Sequence, residues 1–192
     1  LYTTGAVLDN AASQSYGQGC LHQGRVFQID PDRQTINYSD ADVKDQCPNF
    51  SEVYRLRVPG DHGKLVAIHS MDDRLIAICT NGIYSFSGTG PNLLGAQNGY
   101  SEAFLLEAAI GACDGQGNSL ARDPEGLWFM SPKGPRHFSR GLQITRLPDN
   151  RFLGSEVDGK ILNALGQPNC IKAFNVPGTT QVRFWDGLLQ WV

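Results

Sequence analysis

The chain has 192 residues, 41% of them hydrophobic, and its 16 basic and 19 acidic residues leave a formal net charge of -3. That balance, with no basic or acidic tail to disturb it, argues against tight binding of a phosphate backbone by counterion release. No apolar run approaches the roughly 18 residues of a membrane-spanning helix, so no membrane-spanning contact is expected.

With 22 Gly and 10 Pro, turn signals punctuate the whole chain, and no long window holds a 3.6-residue period; the sequence reads as all-β. Arg25-Val26-Phe27-Gln28-Ile29 alternates, meets the turn Asp30-Pro31-Asp32, and alternation resumes at Thr35-Ile36-Asn37-Tyr38, which predicts a hairpin. The clearest unit follows Lys64. Leu65 to His69, Arg74 to Cys79 and Ile83 to Ser87 read as three strands joined by Met71-Asp72-Asp73 and Asn81-Gly82. The Asn-Gly pair predicts a type I′ turn, which requires two residues at positive φ. The middle strand is apolar at successive positions, the pattern of a sheet covered on both faces.

The cadence returns as Asn118 to Arg122, Asp123-Pro124-Glu125-Gly126, Leu127 to Ser131, Pro132-Lys133-Gly134 and Arg136-His137-Phe138, and again from Gln181 to Trp191 around Asp186-Gly187. Between these, residues 154–165 place Val157, Ile161, Leu162 and Leu165 at helical spacing, which predicts a helical insertion or linker. Short antiparallel units repeating in this way predict residues 1–192 to be a segment of a β-propeller, with blades near 18–58, 64–95, 104–147 and an incomplete one at 172–192. A β-sandwich would share the short strands without needing the repeated cadence. Leu1 is not an initiator Met and Leu189 to Val192 is an apolar run without a stop signal, so the chain is expected to belong to a longer polypeptide.

The ordered succession of His22-Gln23-Gly24-Arg25-Val26-Phe27, Tyr38-Ser39-Asp40, Ile68-His69-Ser70-Met71-Asp72-Asp73-Arg74-Leu75-Ile76, Asn81-Gly82-Ile83-Tyr84, Ser87-Gly88-Thr89-Gly90-Pro91-Asn92, Gly111-Ala112-Cys113, Asp123 to Phe129, Gly141-Leu142-Gln143 and Gln181-Val182-Arg183-Phe184 resembles one family. These are phage virion proteins: the propeller-bearing tail nozzle or tail tubular proteins of short-tailed phages, and neck proteins that stabilise packaged DNA. The resemblance implies a structural protein and not an enzyme, in a homo-oligomeric ring at the tail nozzle or head-tail neck. It implies other tail or neck proteins as partners, passing genomic DNA held without sequence-specific binding, and a virion location after assembly in the host cytoplasm.

Candidate chemistry is set against local structure. Asp72, Asp73, Asp123, Glu125 and Asp158 supply carboxylates, as a glycosidase pair would. Asp72, Asp73, Asp123 and Asp186 all fall at predicted turns, where Asp caps backbone N–H groups, so turn chemistry is expected of them. His22, His62, His69 and His137 show no metal-ligand spacing, and Cys20, Cys47, Cys79, Cys113 and Cys170 form no CxxC pair. The five are expected to be free, buried thiols. No catalytic, cofactor or metal residue is assigned, and no cofactor is expected. Gly88-Thr89-Gly90-Pro91 follows a strand but lacks the Lys-Ser/Thr of a phosphate loop, and the sequons at Asn37 and Asn49 are ascribed to chance.

Arg33, Arg55, Arg57, Arg122, Arg136, Arg140 and Arg146, with Tyr54, Trp128 and Phe138 nearby, could line a channel, although solvated strand edges are the preferred reading. Phe27, Tyr84, Phe86, Trp128, Phe129, Phe184 and Trp185 are expected in the core. The alternative function is a propeller that binds or hydrolyses host-envelope glycans, for which Asp123, Glu125 and Trp128 are the compact candidate set. A cellular interaction platform would carry regular WD or kelch signatures, which are missing.

Overall fold

The computed structural model describes residues 15–41, 48–91, 99–132, 134–145, 171–179, 181–185 and 190–191. The helix expected at 154–165, and Cys47, Arg146, Asp158, Cys170 and Asp186, lie outside the described residues.

The described residues are all-β, with two short 3-10 turns at Gly60–His62 and Gly117–Ser119 and no α-helix. They form four small antiparallel sheets, none of them closed. The first contains β1 (Cys20–His22), β2 (Arg25–Ile29), β3 (Thr35–Ser39) and β4 (Phe50–Arg57). The second contains β5 (Leu65–Met71), β6 (Arg74–Cys79), β7 (Ile83–Ser87) and β8 (Phe104–Glu107). The third contains β9 (Ala121–Arg122), β10 (Gly126–Ser131), β11 (Gly134–Ser139) and β12 (Ile144–Thr145); the fourth contains β13 (Lys172–Asn175), β14 (Val182–Trp185) and β15 (Gln190–Trp191). In every sheet the spatial order of strands is their order in the chain.

Turn chemistry sets the registers. Gln23 and Gly24 both sit at positive φ, 48° and 72°, between the paired His22 and Arg25, as a two-residue type I′ loop requires. Asp72, at φ 54°, makes the equally short loop between Met71 and Arg74. Asn81-Gly82 departs from the type I′ expectation. The loop is Thr80-Asn81, closed by the Cys79 N–H donating to the Gly82 carbonyl at 2.8 Å, and neither Asn81 nor Gly82 is in the left-handed region. Gly82 is needed for close approach instead: a Cβ there would stand 2.7 Å from the His62 Cβ and 2.9 Å from the Glu107 carbonyl oxygen.

Two expected boundaries also shift. Phe104–Glu107, expected to open the third unit, pairs with β7 and completes the second sheet. The strand expected from Asn118 is a 3-10 turn followed by two residues of strand. There the buried Ser119 hydroxyl donates to the Gln116 carbonyl at 2.6 Å and accepts the Met130 N–H at 3.2 Å, ties that hold the segment in a turn.

Three hydrophobic clusters lie between consecutive sheets. Phe27, Ile29, Ile36, Tyr38 and Leu56 of the first sheet meet Ile68, Leu75, Ala77, Cys79, Tyr84 and Phe86 of the second. Val66, Met71, Ile76, Ile78 and Ile83 leave the other face of the second sheet to meet Leu127, Phe129 and Phe138 of the third. Met130 and Cys113 then meet Ile171 and Phe184 at the fourth. The two-residue period of a strand explains this, because Leu75, Ala77 and Cys79 point one way from β6 while Ile76 and Ile78 point the other. Each large aliphatic or aromatic side chain so buried is worth about 1.5–3 kcal/mol.

Of the aromatic residues expected in the core, Phe27, Tyr84, Phe86, Phe129 and Phe184 are buried. Trp128 is half-buried and Trp185 is 42% exposed, on the side of β14 opposite Phe184.

Candidate functional site

Asp123, the centre of the acidic candidate set, is committed to its own turn. Its Oδ1 accepts the N–H groups of Glu125 at 2.8 Å and Gly126 at 2.6 Å, and its Oδ2 accepts the Trp128 indole N–H at 2.6 Å. His137 Nε2 stands 3.5 Å away, its ring 4.8 Å from that of Trp128. Burial opposes ionisation of Asp123, but the Trp128 donor outweighs it with help from the two backbone N–H groups and His137, so the carboxyl titrates below its ordinary value of 3.8. A group whose folded pKa is lowered stabilises the fold fully above the unfolded value and loses that contribution as pH falls through the folded one. Asp32 is held low in the same sense: burial again opposes ionisation, and the Gln34 and Thr35 N–H groups and the Thr35 hydroxyl prevail. Acid below about pH 4 is therefore expected to destabilise the protein, and an Asp123→Asn variant to show a shallower acid limb in a series of urea melts.

Asp72 and Asp73 sit at the β5–β6 turn as expected, but their carboxylates face arginines, Arg140 at 3.6 Å and Arg74 at 3.8 Å. Glu125 is exposed.

The histidines stand on separate elements: His22 on β1, His62 in the first 3-10 turn, His69 on β5 and His137 on β11. Among the described residues no group of three or more His, Cys, Asp and Glu could hold a metal. His22 is buried, its Nδ1 2.8 Å from the Ser70 hydroxyl and its Nε2 without a partner; burial lowers its pKa against the pull of Asp73. His69 donates its Nδ1–H to the Ser70 carbonyl at 2.7 Å, leaving Nε2 an acceptor in the neutral ring. Burial lowers its pKa as well; the Ser70 hydrogen bond opposes this and the Arg122 charge adds to it.

Cys20, Cys79 and Cys113 are free, and burial pushes their thiols up to about 12, about 12 and about 11. The thiolate is the nucleophile, so iodoacetamide at pH 8 is expected to leave these three unmodified in the folded protein and to alkylate them in urea, read by peptide mass spectrometry.

The arginines do not converge. Arg33, at φ 56°, is a tie between sheets: Nε donates to the Leu65 carbonyl at 2.9 Å, a terminal nitrogen pairs with Asp114 at 2.5 Å, and the guanidinium lies 4.4 Å from the centre of the Tyr16 ring. That position corrects the reading of Arg33 as a solvated edge or channel residue. Arg55 and Arg57 are exposed on β4 and line an outer groove of about 550 Å³ with Glu102 and Tyr100. Arg136 is half-buried on β11, and Arg140 meets Asp72. Of the described candidate arginines, Arg122 alone lines the cleft described next.

The opening strands of the four sheets border one region. Beside β1, β5 and β9 lies a cavity of about 340 Å³ walled by Gln18, Leu21, His69, Ser70, Leu120 and Arg122. Next to it a cavity of about 640 Å³ is walled by Gln18, Asn118 and, from the fourth sheet, Lys172, Ala173, Phe174 and Trp185. Gln18 belongs to both walls. Among the described residues Arg122 and Lys172 make no ion pair, and neither cavity wall carries a carboxylate. Sequence reading named Arg122 but did not see Lys172 or the exposure of Trp185, because placement on the fourth sheet decides both.

No family model matches the chain, and no curated protein matches it.

Proposed function

We propose that the chain is part of a β-propeller in a phage virion protein of the tail-nozzle or neck type, acting as a structural element. The observation that carries this reading is the repetition of four meander sheets, stacked in chain order with apolar contacts between each consecutive pair, and with their opening strands bordering one cleft. A sheet covered on both faces by like sheets is what radial packing about an axis needs, and the ordered motifs supply the link to the virion family. The mechanism is steric. Propellers in a homo-oligomeric ring, seated among other tail or neck proteins, would shape the conduit through which genomic DNA leaves, with no sequence-specific grip on it.

Electron microscopy of the full-length protein tests this: rings, or virions carrying them, are expected, and a monomer that hydrolyses polysaccharide overturns it. The glycan alternative gains nothing from Asp123, Glu125 and Trp128, since both Asp123 oxygens and the indole N–H are engaged with each other or with the turn. Accordingly Glu125→Gln is expected to change stability by under about 0.5 kcal/mol, whereas Asp123→Ala costs about 1–3 kcal/mol by stripping acceptors from three donors. Thermal melts of the two variants separate a turn from a catalytic pair, because a buried acid pair would not leave Glu125 silent.

A further inference from the structure

We propose that His22 is a pH-sensitive latch: its uncharged ring closes β1 of the first sheet on β5 of the second, and protonation releases β1, opening the cavity of about 340 Å³ that both strands help to wall. The ring is 1% exposed. Its Nδ1 stands 2.8 Å from the Ser70 hydroxyl, its Nε2 is buried without a partner, and the Phe27 ring meets it edge to face at 5.8 Å. Ser70 is the anchor on β5, since its backbone N–H also donates to the sulfur of Cys20, two residues from His22 on the same face of β1. Little else holds β1. It is three residues long and an edge strand beside β2, and Leu21, between the two anchored residues, is 66% exposed. Such a strand opens locally at far less cost than global unfolding.

Either tautomer of the neutral ring fits this site, one nitrogen bonded to Ser70 and the other meeting nothing. An imidazolium does not fit. With both nitrogens protonated, a charged Nε2–H is left without an acceptor, which costs more than an unmet neutral group. Around the ring, among the described residues, Asp73 at the β5–β6 turn attracts the added charge, but its carboxylate is open to solvent and has Arg74 at 3.8 Å. Asp72 beside it pairs with Arg140. Arg25, the cross-strand partner of His22 on β2, is a further cation; the Cys20 thiol is uncharged, and His69, next to Ser70 on β5, gains positive charge only as pH falls. Burial therefore outweighs Asp73, and the ring titrates below its ordinary value of 6.5. The contribution of the latch is whole above that value and is lost as pH falls through the folded one. The apolar cluster between the two sheets and the Arg33 bond to Leu65 do not titrate in this range, so β1 opens while the sheets stay packed. The latch needs only the first two sheets and does not rest on the virion reading.

The test is hydrogen–deuterium exchange of the purified protein at about pH 7.5 and about pH 5, with labelling times scaled to the intrinsic exchange rate at each pH. Residues 18–24 are expected to exchange faster at the lower pH, by up to about tenfold for each unit below the His22 pKa, while Arg74 to Cys79 keep their protection. Dithiodipyridine, which stays reactive toward thiols in mild acid, is expected to modify Cys20 at the lower pH and to spare Cys79. His22→Gln removes the titrating group and is expected to make exchange of residues 18–24 equal at the two values. The proton NMR signal of the His22 ring reads the latch in the unaltered protein: its midpoint is expected below 6.5, at the pH where exchange of β1 rises. Unchanged exchange of residues 18–24, an equal acid response in His22→Gln, a His22 midpoint at or above 6.5, or loss of protection in β6 at the same pH overturns the proposal.

Discussion

Leu75→Ala and Ile76→Ala, made separately, are each expected to lower the unfolding free energy by about 2–5 kcal/mol. The two residues are neighbours in β6 and both have zero exposure. Leu75 contributes to the cluster shared with the first sheet, and Ile76 to the cluster shared with the third. In a sheet with one solvated face, one of any two adjacent side chains would point to water, and truncating it would change stability by under about 0.5 kcal/mol. Equal, large losses therefore measure two-sided burial directly. Together they reach about 4–10 kcal/mol, comparable with the 5–15 kcal/mol that holds a typical domain, so the double variant is expected to be unfolded in buffer. Urea denaturation followed by circular dichroism checks this, and a loss under about 0.5 kcal/mol at either position would remove the face-to-face stacking on which the proposed architecture depends.

What could be read from the sequence was set by local physics. Strands β2, β3, β6 and β7 were legible because alternating or continuous apolar residues are bounded by Asp, Pro and Gly within a few positions. The two-faced character of β6 was legible for the same reason, since Leu75 to Cys79 has no polar position. Phe104–Glu107 was assigned to the wrong neighbour because residues 88–103 separate it from β7, and a connection of that length carries no turn chemistry to say which sheet the strand joins. Asn81-Gly82 shows the reverse error: the dipeptide marks a turn, but contacts with His62 and Glu107 decide its geometry. Arg33 was misread because its role depends on Leu65 and Asp114, which lie 32 and 81 positions away. Of the two cavity walls, Arg122 was named, but Lys172, Phe174 and Trp185 enter only through the placement of the fourth sheet.

Arg25→Ala is expected to cost about 3–5 kcal/mol, because the side chain is a buried cation that donates to two carbonyl groups. Arg25 is 3% exposed and makes no ion pair among the described residues. One terminal nitrogen donates to the Ser39 carbonyl at 3.0 Å, at the end of β3, and the other donates to the carbonyl of Pro91, beyond β7. It thus joins the end of β3 to the segment that follows β7. The guanidinium lies 5.8 Å from the centre of the Tyr38 ring, within a group where Phe27, Tyr38, Tyr54 and Tyr100 meet at ring distances of 5.1–5.5 Å. Gly90 permits that approach, since a Cβ there would come 3.0 Å from the Arg25 Nε and 2.9 Å from the Tyr100 ring. Taking a cation out of water is costly, and carbonyl dipoles and ring faces offset the cost only while their geometry holds. Arg25→Met separates volume from hydrogen bonding: it fills much of the space but removes the guanidinium donor from both carbonyls, so a loss of about 2–4 kcal/mol is expected to persist. Arg25→Lys, able to reach one carbonyl as a point charge, should fall between wild type and Met. The opposite outcome, Arg25→Met as stable as the parent in urea, would mean that burying this cation gives no net stability and that the apolar packing around it alone joins the first and second sheets.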